Sequence, residues 1–154
     1  MLANGPTMSD KVPVLVTGGA GYIGSHAVLA LLDQGWPVAV IDNLTTGFRW
    51  AVPEGVPFYE GDIEDAALLA RIFAEQQTRA VMHFAGSIIV PESVENPLKY
   101  YHNNTAKSRA LIAAAVAGQL KHFIFSSTAA TYGIPEKSPV SEDLKVCMQK
   151  PTAK

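Results

Sequence analysis

Three glycines spaced three apart, Gly18, Gly21 and Gly24, follow the apolar run Val14-Leu15-Val16-Thr17 and open a stretch of helix-forming residues. Such a turn suits an anion, because the first N–H groups of a helix have no partner inside it and lie at the positive end of its dipole. A diphosphate is the ligand it fits best. One glycine permits a tight turn, one lets the backbone approach the pyrophosphate, and one lets helix and strand pack closely. Three glycines alone are a weak signal, since many ligand-free loops contain them. Here a strand precedes the turn and a helix follows it, and Asp42 stands at about the 20-residue distance expected of a carboxylate that accepts ribose hydroxyls. That carboxylate would repel a 2′-phosphate and so favours NAD over NADP, while Arg49 reads as a solvated surface charge.

The elements that must hold these residues alternate along the chain. The pattern predicts a strand over 12–17, then a helix over 22–34 with Ile23, Ala27, Ala30 and Leu31 on its apolar face and Gly35 as its stop. A second strand covers 38–41 and is closed by Asp42-Asn43, and Phe58 with Tyr59 marks a third. A second helix is expected over 63–75 with Asp62 as its cap, and a fourth strand over 80–84. An irregular stretch containing Pro91 leads to one long helix over 97–117, with Pro97 in its first turn and Gly118 past its end. The fifth strand, 122–125, ends in Ser126-Ser127-Thr128. Short apolar strands alternating with helices predict an α/β fold: a Rossmann-like, doubly wound parallel sheet with helices on both faces. Ligands of such sheets sit beyond the carboxyl ends of the strands, where strand order reverses.

Composition narrows the classes further. The 154 residues are enough for one domain, and 48% hydrophobic with 17% charged residues and a net charge of -2 describe an ordinary globular chain. No basic stripe invites nucleic acid, and no apolar run approaches the roughly 20 residues that span a bilayer. Cys147 is the sole cysteine, so no intrachain disulfide forms, and a reducing, cytoplasmic setting is expected. Histidines 26, 83, 102 and 122 are too dispersed for a metal cluster and are read as structural or surface residues. Asn103 falls inside the long helix, where asparagine is unfavourable; its amide is expected to hold the loops at the sheet's carboxyl edge. The expected organisation is a tail over 1–11, a dinucleotide-binding domain over 12–133 that is incomplete, and an irregular tail over 134–154 broken by prolines.

Six blocks in one order carry a resemblance: 17–26, 42–44, 60–63, 83–86, 100–104 and 125–133. The first holds the TGxxGxxG signature of the extended short-chain dehydrogenases/reductases, and together they resemble the UDP-glucose 4-epimerase family. The resemblance implies NAD as cofactor and a UDP-sugar as substrate. It implies that Gly18, Gly21, Tyr22, Ile23 and Gly24 meet the dinucleotide, Tyr22 and Ile23 through their backbone. Asp42, Asn43, Leu44, Thr45, Thr46 and Gly47 would hold the adenosine ribose, and Asp62 with Ile63 would flank the adenine. For Asp62, a helix cap and a cap that also accepts from the exocyclic amine remain equally open. Phe84, Ala85 and Gly86 would line the path to the nicotinamide, with Ile88 where the family often has a lysine, and Asn103 would join the cofactor site.

In that family a residue such as Thr128 hydrogen-bonds the sugar 4-OH beside a catalytic tyrosine; the alternative is a turn threonine at a strand end. The tyrosine belongs to a Tyr-x-x-x-Lys pair, and no such pair occurs in these 154 residues. Tyr132 and Lys137 come nearest, five apart with Pro135 between them. The family pattern places the pair at or just beyond residue 154, followed by a substrate domain, so the chain alone is expected to be inactive. A homodimer through the long helix is a further implication. Two alternatives stand beside this reading. A nucleotide-sugar 4,6-dehydratase would carry Asp-Glu after the threonine, where Ala129-Ala130 stands, and a non-catalytic NAD-binding module would need no Tyr-x-x-x-Lys at all.

Overall fold

Every residue of Val14–Thr17 (β1) and Val38–Asp42 (β2) is buried, which is why neither strand shows polar alternation. The computed structural model describes residues 11–132 and 139–141. The tails expected at 1–11 and 134–154 therefore fall almost wholly outside the described residues, as do Gly133, Lys137 and Cys147. Phe58–Glu60 (β3), Ala80–His83 (β4) and His122–Phe125 (β5) complete a five-stranded sheet in the order β3-β2-β1-β4-β5, with every pair parallel. The doubly wound arrangement follows, and its order reverses between β1 and β4. Register aligns Thr17 with Ile41 on one side and with His83 on the other, so three strands end at one level.

Alternate side chains feed two cores. Val14 and Val16 of β1, with Val38 and Val40 of β2, pack against Val28, Leu31 and Leu32 of Tyr22–Asp33 (α1). Leu15, Ala39, Ile41 and Val81 point the other way, onto Leu69, Ile72 and Phe73 of Ala66–Glu75 (α2) and Leu111 of Lys107–Ala117 (α5). Each fully buried Leu or Ile in this second core contributes on the order of 1.5–3 kcal/mol.

Four expectations change in detail. The buried face of α1 is Gly24, Ser25 and Val28, whereas Ile23 is 60% exposed and Ala30 lies outside the core as well. Apolar residues surround this helix, so periodicity sets its phase poorly, and the packing of Gly24 on the preceding turn decides it. The second helix starts at Ala66 rather than residue 63, and its cap is Asp65, whose Oδ1 accepts from the Leu68 N–H at 2.9 Å; Asp62 does not cap it. The stretch around Pro91 is not irregular, because Pro91 sits in the first turn of a short helix, Val90–Glu95 (α3). The long helix is interrupted: Pro97–Tyr101 (α4) passes through a π-type segment, His102–Ala106, into α5. No helix among the described residues is long and apolar enough to cross a membrane.

Candidate functional site

The turn between β1 and α1 is shaped by backbone crowding. Gly18 has a φ of 69° and lies so close to β4's continuation that an added Cβ would stand 2.7 Å from the Ala85 nitrogen. Gly24 presses on the same turn, with its Cβ position 2.1 Å from the Gly18 carbonyl oxygen. Gly21 is different: its φ of -80° is open to any residue, and a Cβ there would meet only that oxygen, at 3.2 Å. The first bond along α1 runs from the Ser25 N–H to the Gly21 carbonyl at 2.9 Å. The amides of Tyr22, Ile23 and Gly24 therefore precede the helical ladder, and no acidic side chain occupies the first turn. A diphosphate fits that end by charge and by space.

Asp42 ties the turn to the loop after β2. It is only 8% exposed, its Oδ2 accepts from the Ala20 N–H at 2.9 Å, and its Oδ1 accepts from the Leu44 N–H at 2.8 Å. That second bond supports Leu44 at a φ of 56°, which otherwise costs about 1–2 kcal/mol in a residue with a Cβ. The loop then folds back, with the Phe48 N–H donating to the Ala20 carbonyl at 3.0 Å. Residues 42–47 thus lie beside the turn, and each Asp42 oxygen keeps acceptor capacity for a hydroxyl.

Asp62 sits two residues past β3 and is bound rather than free. Its Oδ1 accepts from the Glu64 N–H at 3.2 Å, and its Oδ2 accepts from Asn43 Nδ2 at 3.3 Å and from Lys107 Nζ. Burial pushes its pKa up, but Lys107, the Glu64 amide and Asn43 outweigh that and hold it below the ordinary value. Ile63 is only 6% exposed, its side chain packed in the second core.

The π-type segment grips the loop after β4. Its wider turn lets two successive asparagines reach one residue: Asn103 Nδ2 donates to Ser87 Oγ at 2.8 Å, while Asn104 accepts from the Ser87 N–H at 2.8 Å and donates to its carbonyl at 2.9 Å. The same segment is wired to β1 through His83, which is 2% exposed. Ser108 Oγ donates to the Asn104 carbonyl at 2.9 Å, so its contact with His83 Nε2, also 2.9 Å, makes that nitrogen the donor. His83 Nδ1 then accepts from Thr17 Oγ1 at 2.7 Å. Burial lowers the His83 pKa to about 4, so the ring stays neutral.

A family model described as the NAD dependent epimerase/dehydratase family matches residues 14–153. The chain belongs to that family. It is 56% identical over 130 residues to a UDP-glucose 4-epimerase of Azospirillum brasilense, covering 84% of this chain and 37% of the relative. The corresponding enzyme of Lactobacillus helveticus is 53% identical, with 84% and 39% covered. Among solved structures, UDP-glucose 4-epimerase from Brucella ovis in complex with NAD superposes with a TM-score of 0.77 at 46% identity, covering 85% of this chain and 40% of that one. The Thermus thermophilus UDP-glucose 4-epimerase complex with NAD gives 0.78 at 41% identity, with 88% and 43% covered. The chain therefore spans about two fifths of the length of these family members.

Within the family frame, the structure brings most of the expected residues to one edge. Gly18 to Gly24, residues 42–47, Asp62 and 84–86 all leave carboxyl ends of β1 to β4, and Asn103 faces them from the π-type segment. Thr128 follows β5, where its carbonyl accepts from the Thr131 N–H at 3.1 Å in a short 3-10 turn, Ala129–Tyr132. Ile88, which stands where the family often has a lysine, is exposed. Sequence reasoning overlooked Asn104, although the doublet Asn103-Asn104 in a helix was the available signal. It also overlooked the Thr17–His83–Ser108 relay, which aligned strand ends would have revealed for the first pair. Lys107 left no signal, because its partner lies 45 residues away.

Proposed function

We propose that this chain is the NAD-binding half of a UDP-glucose 4-epimerase. The observation that carries this reading is the turn at Gly18 to Gly24, where backbone crowding excludes a side chain at Gly18 and Gly24 and the amides of Tyr22, Ile23 and Gly24 remain to receive a diphosphate. NAD held there would supply the acceptor, and then the donor, of the hydride at sugar C4. Asp42 and the Asn43 to Gly47 loop hold the adenosine ribose, Asp62 and the Ile63 backbone flank the adenine, and Phe84, Ala85 and Gly86 line the approach of the nicotinamide. Asn103 fixes that approach by anchoring Ser87. Thr128 contributes its hydroxyl to the sugar 4-OH, where it can both accept and donate as the proton moves. Exposed Val94, Leu98, Ile112 and Val116 on α3, α4 and α5 support a homodimer through these helices, and the sole cysteine favours a reducing, cytoplasmic setting.

Saturating NAD, at 100 times its Kd, is expected to stabilise the folded chain by about 2.7 kcal/mol, which raises Tm by roughly 5–10 °C at this size. Absence of any shift in a protein that melts cooperatively would overturn the proposal. The same 154-residue chain is expected not to interconvert UDP-glucose and UDP-galactose, because it contains no Tyr-x-x-x-Lys to serve as the base. Measurable interconversion would show that another group supplies that role.

A further inference from the structure

Lys107, the first residue of α5, reaches across to Asp62 although neither helical packing nor the sheet requires it to. Its side chain is 13% exposed and that of Asp62 28%, so the pair is largely withdrawn from water while one flank of the carboxylate stays open. Lys107 Nζ also lies 3.6 Å from Glu64, which in turn stands 3.4 Å from His102 Nε2. A carboxylate offers about four lone-pair sites, two on each oxygen. On Asp62, Asn43 and Lys107 fill both sites of Oδ2, and the Glu64 amide fills one of Oδ1. One acceptor site on Oδ1 is left.

We propose that Lys107 is a specificity-determining residue for the purine base, leaving Asp62 one open acceptor site that a 6-amino purine fills with an N–H and a 6-oxo purine cannot. The inference rests on the NAD-binding reading above and adds to it the residue that enforces the choice of base. A 6-oxo group would set oxygen against a carboxylate, and presenting the ring N1–H instead would require the base to slide out of its place. Without Lys107, Oδ2 loses one of the two donors that pin it and the carboxyl is freer to rotate, so that an oxygen can reach the ring N1–H of a 6-oxo base.

The test is calorimetric titration of wild type, Lys107→Met and Lys107→Arg with NAD and with nicotinamide hypoxanthine dinucleotide. Wild type should prefer NAD by about tenfold or more, the effect of a hydrogen bond to a charged group. Lys107→Met should bring the two affinities within about threefold, and Lys107→Arg should restore most of the preference. Lys107→Leu keeps an apolar side chain without a donor and serves in place of Lys107→Met if that variant does not fold. General loosening would weaken both ligands alike and leave their ratio unchanged. A wild type that binds NAD, with a ratio that Lys107→Met preserves or with no preference at all, overturns the assignment to Lys107 alone. A folded wild type that binds neither dinucleotide overturns the cofactor reading and this inference with it.

Discussion

Gly24→Ala is expected to lower Tm by roughly 4–8 °C, while Gly21→Ala leaves Tm within about 2 °C yet removes the stabilisation by NAD. The two glycines differ by what surrounds them. At Gly24 the new Cβ would stand 2.1 Å from the Gly18 oxygen, 2.8 Å from its carbonyl carbon and 2.9 Å from the Gly19 Cα. All three are backbone atoms of a turn that is itself pressed against Ala85, so no flexible side chain can give way. Overpacking of this kind costs about 3 kcal/mol, and the better helix propensity of alanine returns about 1 kcal/mol. The net loss of at least about 2 kcal/mol corresponds to the expected Tm change in a chain of this size. At Gly21 the single contact is 3.2 Å and the backbone is extended, so a shift of a few tenths of an ångström makes room for a methyl group. In the proposed reading, that methyl group enters the space through which a diphosphate approaches the amides. Thermal melts with and without NAD separate the two effects, and a Gly21→Ala variant stabilised by NAD as strongly as wild type would place the diphosphate elsewhere.

The sheet was legible because it is simple. Short apolar strands separated by helices allow few topologies, and β1, β2, β4 and β5 begin within two residues of the expected starts at 12, 38, 80 and 122. Local chemistry was less legible wherever two candidates competed. Asp62 and Asp65 both suit a helix cap, and Asp65 is the one that takes the position, which leaves Asp62 for Lys107 and Asn43. The interruption at His102–Ala106 leaves no mark in a pattern built on a 3.6-residue period, since Tyr100, Tyr101 and the residues after them remain compatible with a continuous helix. The consequence is functional, because that interruption is what turns both asparagines toward Ser87. His83 shows the general difficulty. Read alone it is one dispersed histidine among four; only pairing with Thr17 across adjacent strands turns it into a link between the glycine turn and the π-type segment.

That link should make the protein sensitive to mild acid. His83 titrates at about 4 in the fold against an ordinary value of 6.5, because burial penalises the imidazolium. Above pH 6.5 the ring is neutral in both states, and the fold carries no penalty. As pH falls below 6.5 the unfolded chain takes up a proton that the folded chain refuses, so stability declines until the pH reaches the folded value. At about 1.4 kcal/mol per unit, the loss approaches 3 kcal/mol between pH 7 and pH 4. Asp62 acts in a lower range, since its folded pKa is depressed: its contribution is present above the ordinary carboxylate value and is lost as pH falls through the folded one. The interval from pH 6.5 to about 4.5 is therefore where His83 can be read. Urea unfolding across that interval should show the decline in wild type. His83→Gln offers Thr17 an acceptor and Ser108 a donor without a titrating ring, and should start about 1–2 kcal/mol less stable at pH 7 but with a flattened slope. Equal slopes in the two proteins would assign the acid sensitivity to other groups and leave the relay a purely neutral contact.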